Sequence, residues 1–454
     1  MKIGETYLSE LLGDRFDVPF QMSFNACTSL IKHHPYKPLG EIAEFSSESW
    51  NQKSIFTDIF PYIEIGNVDI TTGEISAIEP ISIKDAPSRA KKIVRKNDIL
   101  VSTTRPNRGA ICLYEQDEIS IASTGFSIIR NIDNNIIRDF LFVMLRMPFS
   151  LEQMQLRSSG GNYPAIIESE LKKILIPIPP KEVQEHIIDI YSQAQQARLE
   201  KQQEAKRLFD SIDDYLLEAL QIDKKQNEKE KNKQALRNIS SIIGGRLDVS
   251  FYSEKFEMIS TKYVNEKLSS LVEIDPTIRF NNLKPEMPIS FIPMECIDEK
   301  YGEIAEYREI TVSAAKGYTK FEDNDLLWAK ITPCMQNGKS AIVRNLTNGI
   351  GCGSTEYYVL RPKGDDILIE YIYLLLRHRE MLKAAQTSFG GSAGQQRVSN
   401  QYLKSIIIPR PNISMQKEIV DTVSCMKDKA KQLQKEGDAL LEEAKQKIGK
   451  MIIG

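Results

Sequence analysis

The stretch LKKILIPIPPKEVQEHI (Leu171–Ile187) is an apolar run, a proline staircase and the start of a charged helix; LKSIIIPRPNISMQKEI (Leu403–Ile419) repeats it 232 residues later. Pro177, Pro179 and Pro180, like Pro409 and Pro411, end the strand because proline cannot donate to a ladder. They also open the helix, where a missing N–H costs nothing. The same strand-to-helix corner occurring twice in one chain points to a duplicated module.

The duplication extends outward from the corner. GDRFDVPF (Gly13–Phe20) returns as GGRLDVSF (Gly244–Phe251), and NVDITTGEI ending at Ile75 returns as CIDEKYGEI ending at Ile304. KNDILVSTTRP matches DNDLLWAKITP, with Asp98 over Asp325 and Pro106 over Pro333. STGFSIIR matches STEYYVLR, with Arg130 over Arg361, and Arg146 falls over Arg377. These matches keep their order, and their offsets run from 227 to 232, the small drift that loop insertions in two related domains give.

Each module reads as two parts. Short β-branched runs punctuated by Gly, Pro and Asn indicate strands with a few short helices. A long helix follows. In the first, Ile187, Tyr191, Ala194, Arg198, Lys201, Ala205, Leu208, Ile212, Tyr215 and Ala219 recur at spacings of four and three. In the second, Ile419, Val423, Met426, Ala430, Leu433, Gly437, Leu440 and Ala444 do the same, at a constant displacement of 232. Each is a coiled-coil seam, and side-by-side antiparallel packing buries both in a rod about 50 Å long. The expected fold is therefore α+β. Residues 1–180 and 236–411 form two similar globular domains, 181–222 and 412–454 the helices, and 223–235 a charged linker.

With 454 residues and 41% hydrophobic content, the chain can build two or three packed domains. It has no apolar run long enough to span a bilayer, and its start lacks the pattern of a signal peptide, so the expected location is cytoplasmic and no membrane partner is expected. Six cysteines (27, 112, 296, 334, 352 and 425) show no metal or disulfide spacing and read as reduced core or strand residues. The four histidines, at 33, 34, 186 and 378, form no ligand set and read as surface residues. No metal site is expected. The chain also lacks an Asn/Asp-Pro-Pro-aromatic tetrapeptide, HExxH, GxSxG and a glycine-rich nucleotide fingerprint, so no catalytic residue is assigned. PCMQNGKS (Pro333–Ser340) ends like a phosphate loop but has proline where the first glycine belongs, and reads as a basic turn.

The net charge of −3 conceals clustering. Lys84, Arg89, Lys91, Lys92, Arg95, Lys96, Arg105 and Arg108 stand against only Asp85 and Asp98, a phosphate-attracting segment unless it is merely a solvated face. The second module offers Lys316, Lys320, Lys330 and Lys339 among acids. A second candidate surface is the glycine loop before each corner, RSSGGNYPA from Arg157 and TSFGGSAGQQR ending at Arg397. Glycine pairs let backbone approach a ligand closely, while Asn162, Tyr163, Gln395, Gln396 and Arg397 carry groups that can read base edges. The bland alternative is a hairpin or helix-ending loop.

Over essentially its whole length, in the doubled order of globular part, glycine loop, proline corner with Gln184 or Gln416, and long helix, the chain resembles the specificity subunits of type I restriction-modification systems. The resemblance implies two target recognition domains, each reading one half of a split, asymmetric site in double-stranded DNA. It implies an antiparallel coiled coil that spaces them and docks two methyltransferase subunits, with restriction subunits able to join. It also implies a chain without chemistry or cofactor of its own, S-adenosylmethionine being bound by the methyltransferase. The loop GGNYPAII lacks the glutamines of SAGQQRVS, as two domains reading different half-sites should differ. A structural adaptor with two protein-binding domains on a coiled-coil spacer fits the repeat and the rod equally well.

Overall fold

The computed structural model describes residues 34–52, 54–76, 78–222, 256–280, 283–389 and 396–453. The Gly13–Phe20 and Gly244–Phe251 repeat, the linker at 223–235, and Gln395 lie outside the described residues.

The first half contains β1 (Tyr36–Pro38), α1 (Leu39–Ile42), β2 (Ala43–Phe45), β3 (Ile59–Ile63), β4 (Pro80–Ser82), β5 (Ala90–Val94) and β6 (Ile99–Ser102). It continues with β7 (Ile111–Leu113), β8 (Ser120–Ser123), β9 (Phe126–Ile132), α2 (Arg138–Leu145), α3 (Pro148–Leu156), α4 (Glu168–Leu171), β10 (Leu175–Pro177) and α5 (Lys181–Ala219). In the second half come β11 (Val264–Lys267), α6 (Leu268–Leu271), β12 (Val272–Ile274), β13 (Pro288–Ile292), β14 (Arg308–Thr311), β15 (Thr319–Glu322) and β16 (Leu326–Ala329). They are followed by β17 (Ser340–Ile342), β18 (Ile350–Gly353), β19 (Tyr357–Pro362), α7 (Ile369–Leu376), α8 (Arg379–Thr387), α9 (Asn400–Ser405), β20 (Ile407–Arg410) and α10 (Ile413–Ile453).

The sheets are ordered β2-β9-β6-β7, β4-β3-β8-β5 and β1-β10 in the first half, and β12-β19-β16-β17, β14-β13-β18-β15 and β11-β20 in the second. Adding ten to each strand of one set gives the other. Even the parallel pair recurs, β3 on β8 and β13 on β18. The two halves are therefore one topology written twice.

Strand alternation builds the layers. On β6, Ile99 and Val101 pack with the helices, while Leu100 faces the other way into a cluster with Cys112, Tyr114 and Ile128. On β16, Leu326 and Trp328 face the helices and Leu327 faces Ala341, Val343 and Val359. β6 and β16 are buried on both faces, which is why each reads as a continuous apolar run.

Each proline corner is locked by a glutamine that comes four residues into the helix. Gln184 Nε2 donates to Pro179 O (2.9 Å) and Asn135 O (3.0 Å), and its Oε1 accepts from Ile137 N (2.9 Å) at the start of α2. Gln416 repeats all three bonds, with Pro411 O, Asp366 O and Leu368 N. Both side chains are fully buried. One residue thus caps a short helix and fixes the launch of the long one.

Two compact units result, one comprising Met1–Gln202 with Gln434–Gly454, the other Gln203–Leu433, so each contains part of both long helices. Within the first unit, Arg198 Nε meets Asp438 Oδ1 at 2.8 Å and Lys201 Nζ meets Glu436 Oε2 at 2.6 Å. Within the second, Ala205 packs with Ala430 and Leu433. Partner numbers fall as α5 numbers rise, which is the antiparallel coiled coil. Arg198 and Lys201 sit at seam positions yet carry charge, because acids flanking the opposing seam neutralise them.

Of the seam residues expected from sequence, Ile187, Tyr191, Ile212, Ile419, Val423 and Leu433 are buried, and Leu208 and Met426 are half-buried. Leu440 is a correction: it is only half-buried, and Leu441 is fully enclosed beside Ile187 and Tyr191. Past Leu433 the buried positions run through Gly437, Leu441, Ala444, Ile448 and Ile452, a wider spacing than the heptad rhythm followed earlier. Two further expectations change. His378 is 2% exposed, stacked on Phe256, with Nδ1 accepting from Glu380 N at the start of α8. Cys425 is exposed on α10, whereas Cys112, Cys296 and Cys352 are buried.

Candidate nucleic-acid interface

Two loops meet at one end of the first unit. After β6, Arg105 adopts a left-handed conformation (φ 48°) and Pro106–Arg108 make a single turn closed by Gly109 (φ 75°). The glycine loop turns back on itself, Ser159 pairing with Ala165 across Gly160 (φ 98°), a conformation that favours glycine. Backbone bonds stitch the loops together: Arg105 N to Pro164 O (2.7 Å) and Ile166 N to Thr103 O (2.9 Å). Side chains add Arg105 Nη2 to Asn162 O (3.3 Å) and the Arg105 guanidinium 4.4 Å from the Tyr163 ring centroid. Arg105 shares one tip with Asn162, 57 residues later in sequence, and with the adjacent Tyr163, and Arg108 is exposed in the adjoining turn. Arg157 is not on it. It is buried at the loop's root, with Nη1 3.0 Å from Glu170 Oε2.

The basic run does not form a single patch. β5 lies along β8, with Ala90 opposite Ser123 and Val94 opposite Ser120. Arg89, whose carbonyl accepts from Thr124 N, is therefore at the end where Thr103 N bonds Gly125 O. Arg95 and Lys96 emerge at the opposite end and are occupied, Arg95 by Glu48 (3.1 Å) and Lys96 by Asp117 (2.6 Å). The Arg95 hydrogen bond holds the Glu48 carboxyl below its usual range. Lys91 is exposed and Lys92 half-buried on the strand between them. A strand advances about 3.3 Å per residue and alternates faces, so adjacency in sequence becomes dispersal in space. Among the described residues Lys84, Arg89, Lys91, Arg105 and Arg108 have no carboxylate partner.

The second unit places its loops by the same stitches, Thr332 N to Gln396 O (3.0 Å) and Val398 N to Lys330 O (2.9 Å), but dresses them differently. Arg397 is clasped by Glu356 through two bonds of 2.8 and 2.7 Å, which hold the Glu356 carboxyl below its usual range. Glu356 stands where the first unit has Gly125. Lys330 Nζ lies over the Tyr358 ring at 5.1 Å, and Lys339 Nζ donates to Met294 O at 3.3 Å. Gln396 is in the loop joined to Thr332, and the Lys339 turn is the hydrogen-bonded turn its proline implied.

Behind these loops stands an apparatus that composition does not announce. Buried Asp98 takes Arg130 Nε and Nη2 at 2.8 Å each and caps Arg95 N; buried Asp325 does the same with Arg361 and Glu322 N. Buried Arg146 donates to the carbonyls of Ile70, Thr71, Gly109 and Ile111 and to the Tyr191 hydroxyl. It thereby ties a hairpin, the end of the Arg105 turn and α5 together. Arg377 does equivalent work on Gly338, Glu299 and Lys300 carbonyls. Gly73 and Gly302, both at positive φ, approach these guanidiniums so closely that a Cβ would collide with them. The available signal was identity across the repeat: each of these residues recurs in the second module.

Beside Arg377 a cleft of about 390 Å³ is lined by Glu303, Tyr373, Val423 and Lys427 among others. Lys427 Nζ donates to Tyr373 Oη at 3.3 Å and lies 4.7 Å over that ring. Burial, with Arg377 and Lys431 nearby and only Glu303 and Asp428 opposing, pushes its amine down from 10.5 to about 8. The folded chain thus holds this proton less tightly than the unfolded chain, so the second unit should gain stability as pH rises from about 8 to 10.5. Urea unfolding across that range should show the rise in wild type and lose this component in Lys427→Met.

Among the described residues no helix is long and apolar enough to cross a membrane, and no cluster of acids, histidines and cysteines could hold a metal.

A sequence model of the type I restriction modification DNA specificity domain matches residues 35–207 and again 261–443. Among characterised proteins, the chain is 37% identical over 162 residues to the type I restriction enzyme EcoEI specificity subunit of Escherichia coli. It is 39% identical over 158 residues to the EcoAI specificity subunit of the same organism. These matches take in 35% and 34% of this chain but only 26% of each relative, so the shared stretch spans about a quarter of the relatives' length. A solved chain described under "Structural basis underlying complex assembly and conformational transition of the type I R-M system" has the same fold, with a TM-score of 0.50 and 20% identity over 93% of this chain and 98% of that one.

Proposed function

Since the chain belongs to the type I restriction modification DNA specificity family, whose domain it carries twice, we propose that it reads a bipartite, asymmetric DNA site and directs methyltransferase and restriction subunits to it in the cytoplasm. Each unit reads one half-site through its stitched loops. The observation that carries this reading is the pairing of identical backbone stitches with different side chains: Arg105 on Tyr163 in one unit, Arg397 on Glu356 in the other. A common frame with divergent tips is what two different half-sites require. The chain supplies no chemistry; the two methyltransferase subunits it docks bring S-adenosylmethionine and the transfer step. Coexpression of the chain with its methyltransferase in a host lacking adenine methylation, followed by methylome mapping, tests this. A single motif of two unlike halves across a fixed gap is expected. Methyl transfer by the purified chain alone, or marks with no shared motif, would refute it.

A further inference from the structure

We propose that Tyr163 is a specificity-determining residue of the first unit, presenting one ring face and its hydroxyl to a DNA groove, and that Arg105 is the positioning residue that holds it there. This rests on the DNA-reading proposal above. Tyr163 is 72% exposed, the most exposed of the large apolar and aromatic side chains described, yet its loop is fixed at both ends by backbone bonds. Tyrosine offers a large, rigid, amphipathic contact area at low entropic cost, and a ring already held on a tethered tip loses little further freedom when it meets a partner. The Arg105 guanidinium covers one face at 4.4 Å and also binds Asn162 O.

That cover sets the mode of contact. A ring that wedges between two bases needs both faces free, whereas this one has a single free face, an edge and a hydroxyl. It suits packing against a deoxyribose or a thymine methyl while the hydroxyl bonds a base edge. The cation behind the ring favours approach to phosphate. Arg105 pays for its left-handed backbone (φ 48°) with the bonds that its position allows. In the second unit the residue matching Arg105 is Thr332, so the device belongs to the first half alone.

The test uses the full chain coexpressed with its methyltransferase, mapping methylated sites for wild type, Tyr163→Ala, Tyr163→Phe, Arg105→Ala and Arg105→Lys. Tyr163→Ala should relax base discrimination about tenfold or more in one half of the motif and leave the other half and the gap unchanged. Tyr163→Phe should relax it less. Arg105→Ala should relax the same positions, with partial rescue by Arg105→Lys, which keeps the cation over the ring. Because Tyr163 is exposed, thermal unfolding of Tyr163→Ala should match wild type. A Tyr163→Ala motif identical to wild type, or relaxed in both halves, overturns the inference while leaving the DNA-reading proposal standing. A wild-type chain that yields no motif overturns both.

Discussion

Replacing Arg146 with alanine is expected to destabilise the first unit by about 3–5 kcal/mol, because several buried acceptors lose their donors at once, each at about 1–3 kcal/mol before relaxation. The guanidinium satisfies four carbonyls and one hydroxyl, and its loss leaves buried acceptors without donors along with a cavity between three segments. Arg146→Lys keeps the charge but cannot reach in several directions at once, and should recover less than half of the loss. Urea unfolding of the full chain should show the first unit melting early in Arg146→Ala and the second unit melting early in Arg377→Ala. A single unchanged transition in either variant would mean that the hub is dispensable.

The second large effect concerns a chain cut just after Leu220. Such a half-chain loses Leu441, Ile448 and Ile452 from the core around Ile187 and Tyr191. At the displacement of 232, a second copy supplies Phe209, Leu216 and Leu220 to the same places, so a two-fold antiparallel dimer is expected. The ion pairs then change in a definite way. Lys201 meets Glu204 in place of Glu436, which preserves attraction, but Arg198 meets Lys206 in place of Asp438. The mismatch occurs twice in a symmetric dimer. It favours pairing of unlike helices, as in the intact chain. Lys206→Asp should restore both pairs and tighten the half-chain dimer about fivefold to thirtyfold, at roughly 0.5–1 kcal/mol per pair. Sedimentation equilibrium measures this; equal dissociation constants for the two half-chains would show that the Arg198–Asp438 register does not select partners.

The duplicated topology was legible because it rests on local chemistry repeated in order: proline corners, β-branched runs and a 4-3 seam. What sequence could not supply were partners chosen by tertiary register. Asp98 and Arg130 are 32 residues apart and meet only because β6 pairs with β9. The run from Lys84 to Arg108 is continuous in sequence but divided by strand geometry, Arg89 going to the loop end and Arg95 to the other. Arg157 resembles a loop cation until Glu170 is seen beneath it, and His378 resembles a surface residue until Phe256 covers it. The glycine loop was singled out by composition, yet its meeting with the Arg105 turn depends on bonds between Thr103, Pro164 and Ile166 that no local pattern announces.

The most direct measurement exchanges residues 246–400 for the matching domain of a relative with a different site, then maps methylated sites after coexpression with the methyltransferase. One half of the motif should change completely while the other half and the length of the gap stay as in wild type, the outcome expected if each unit reads alone and the paired helices set the spacing. A change in both halves, or in the gap, would contradict that reading.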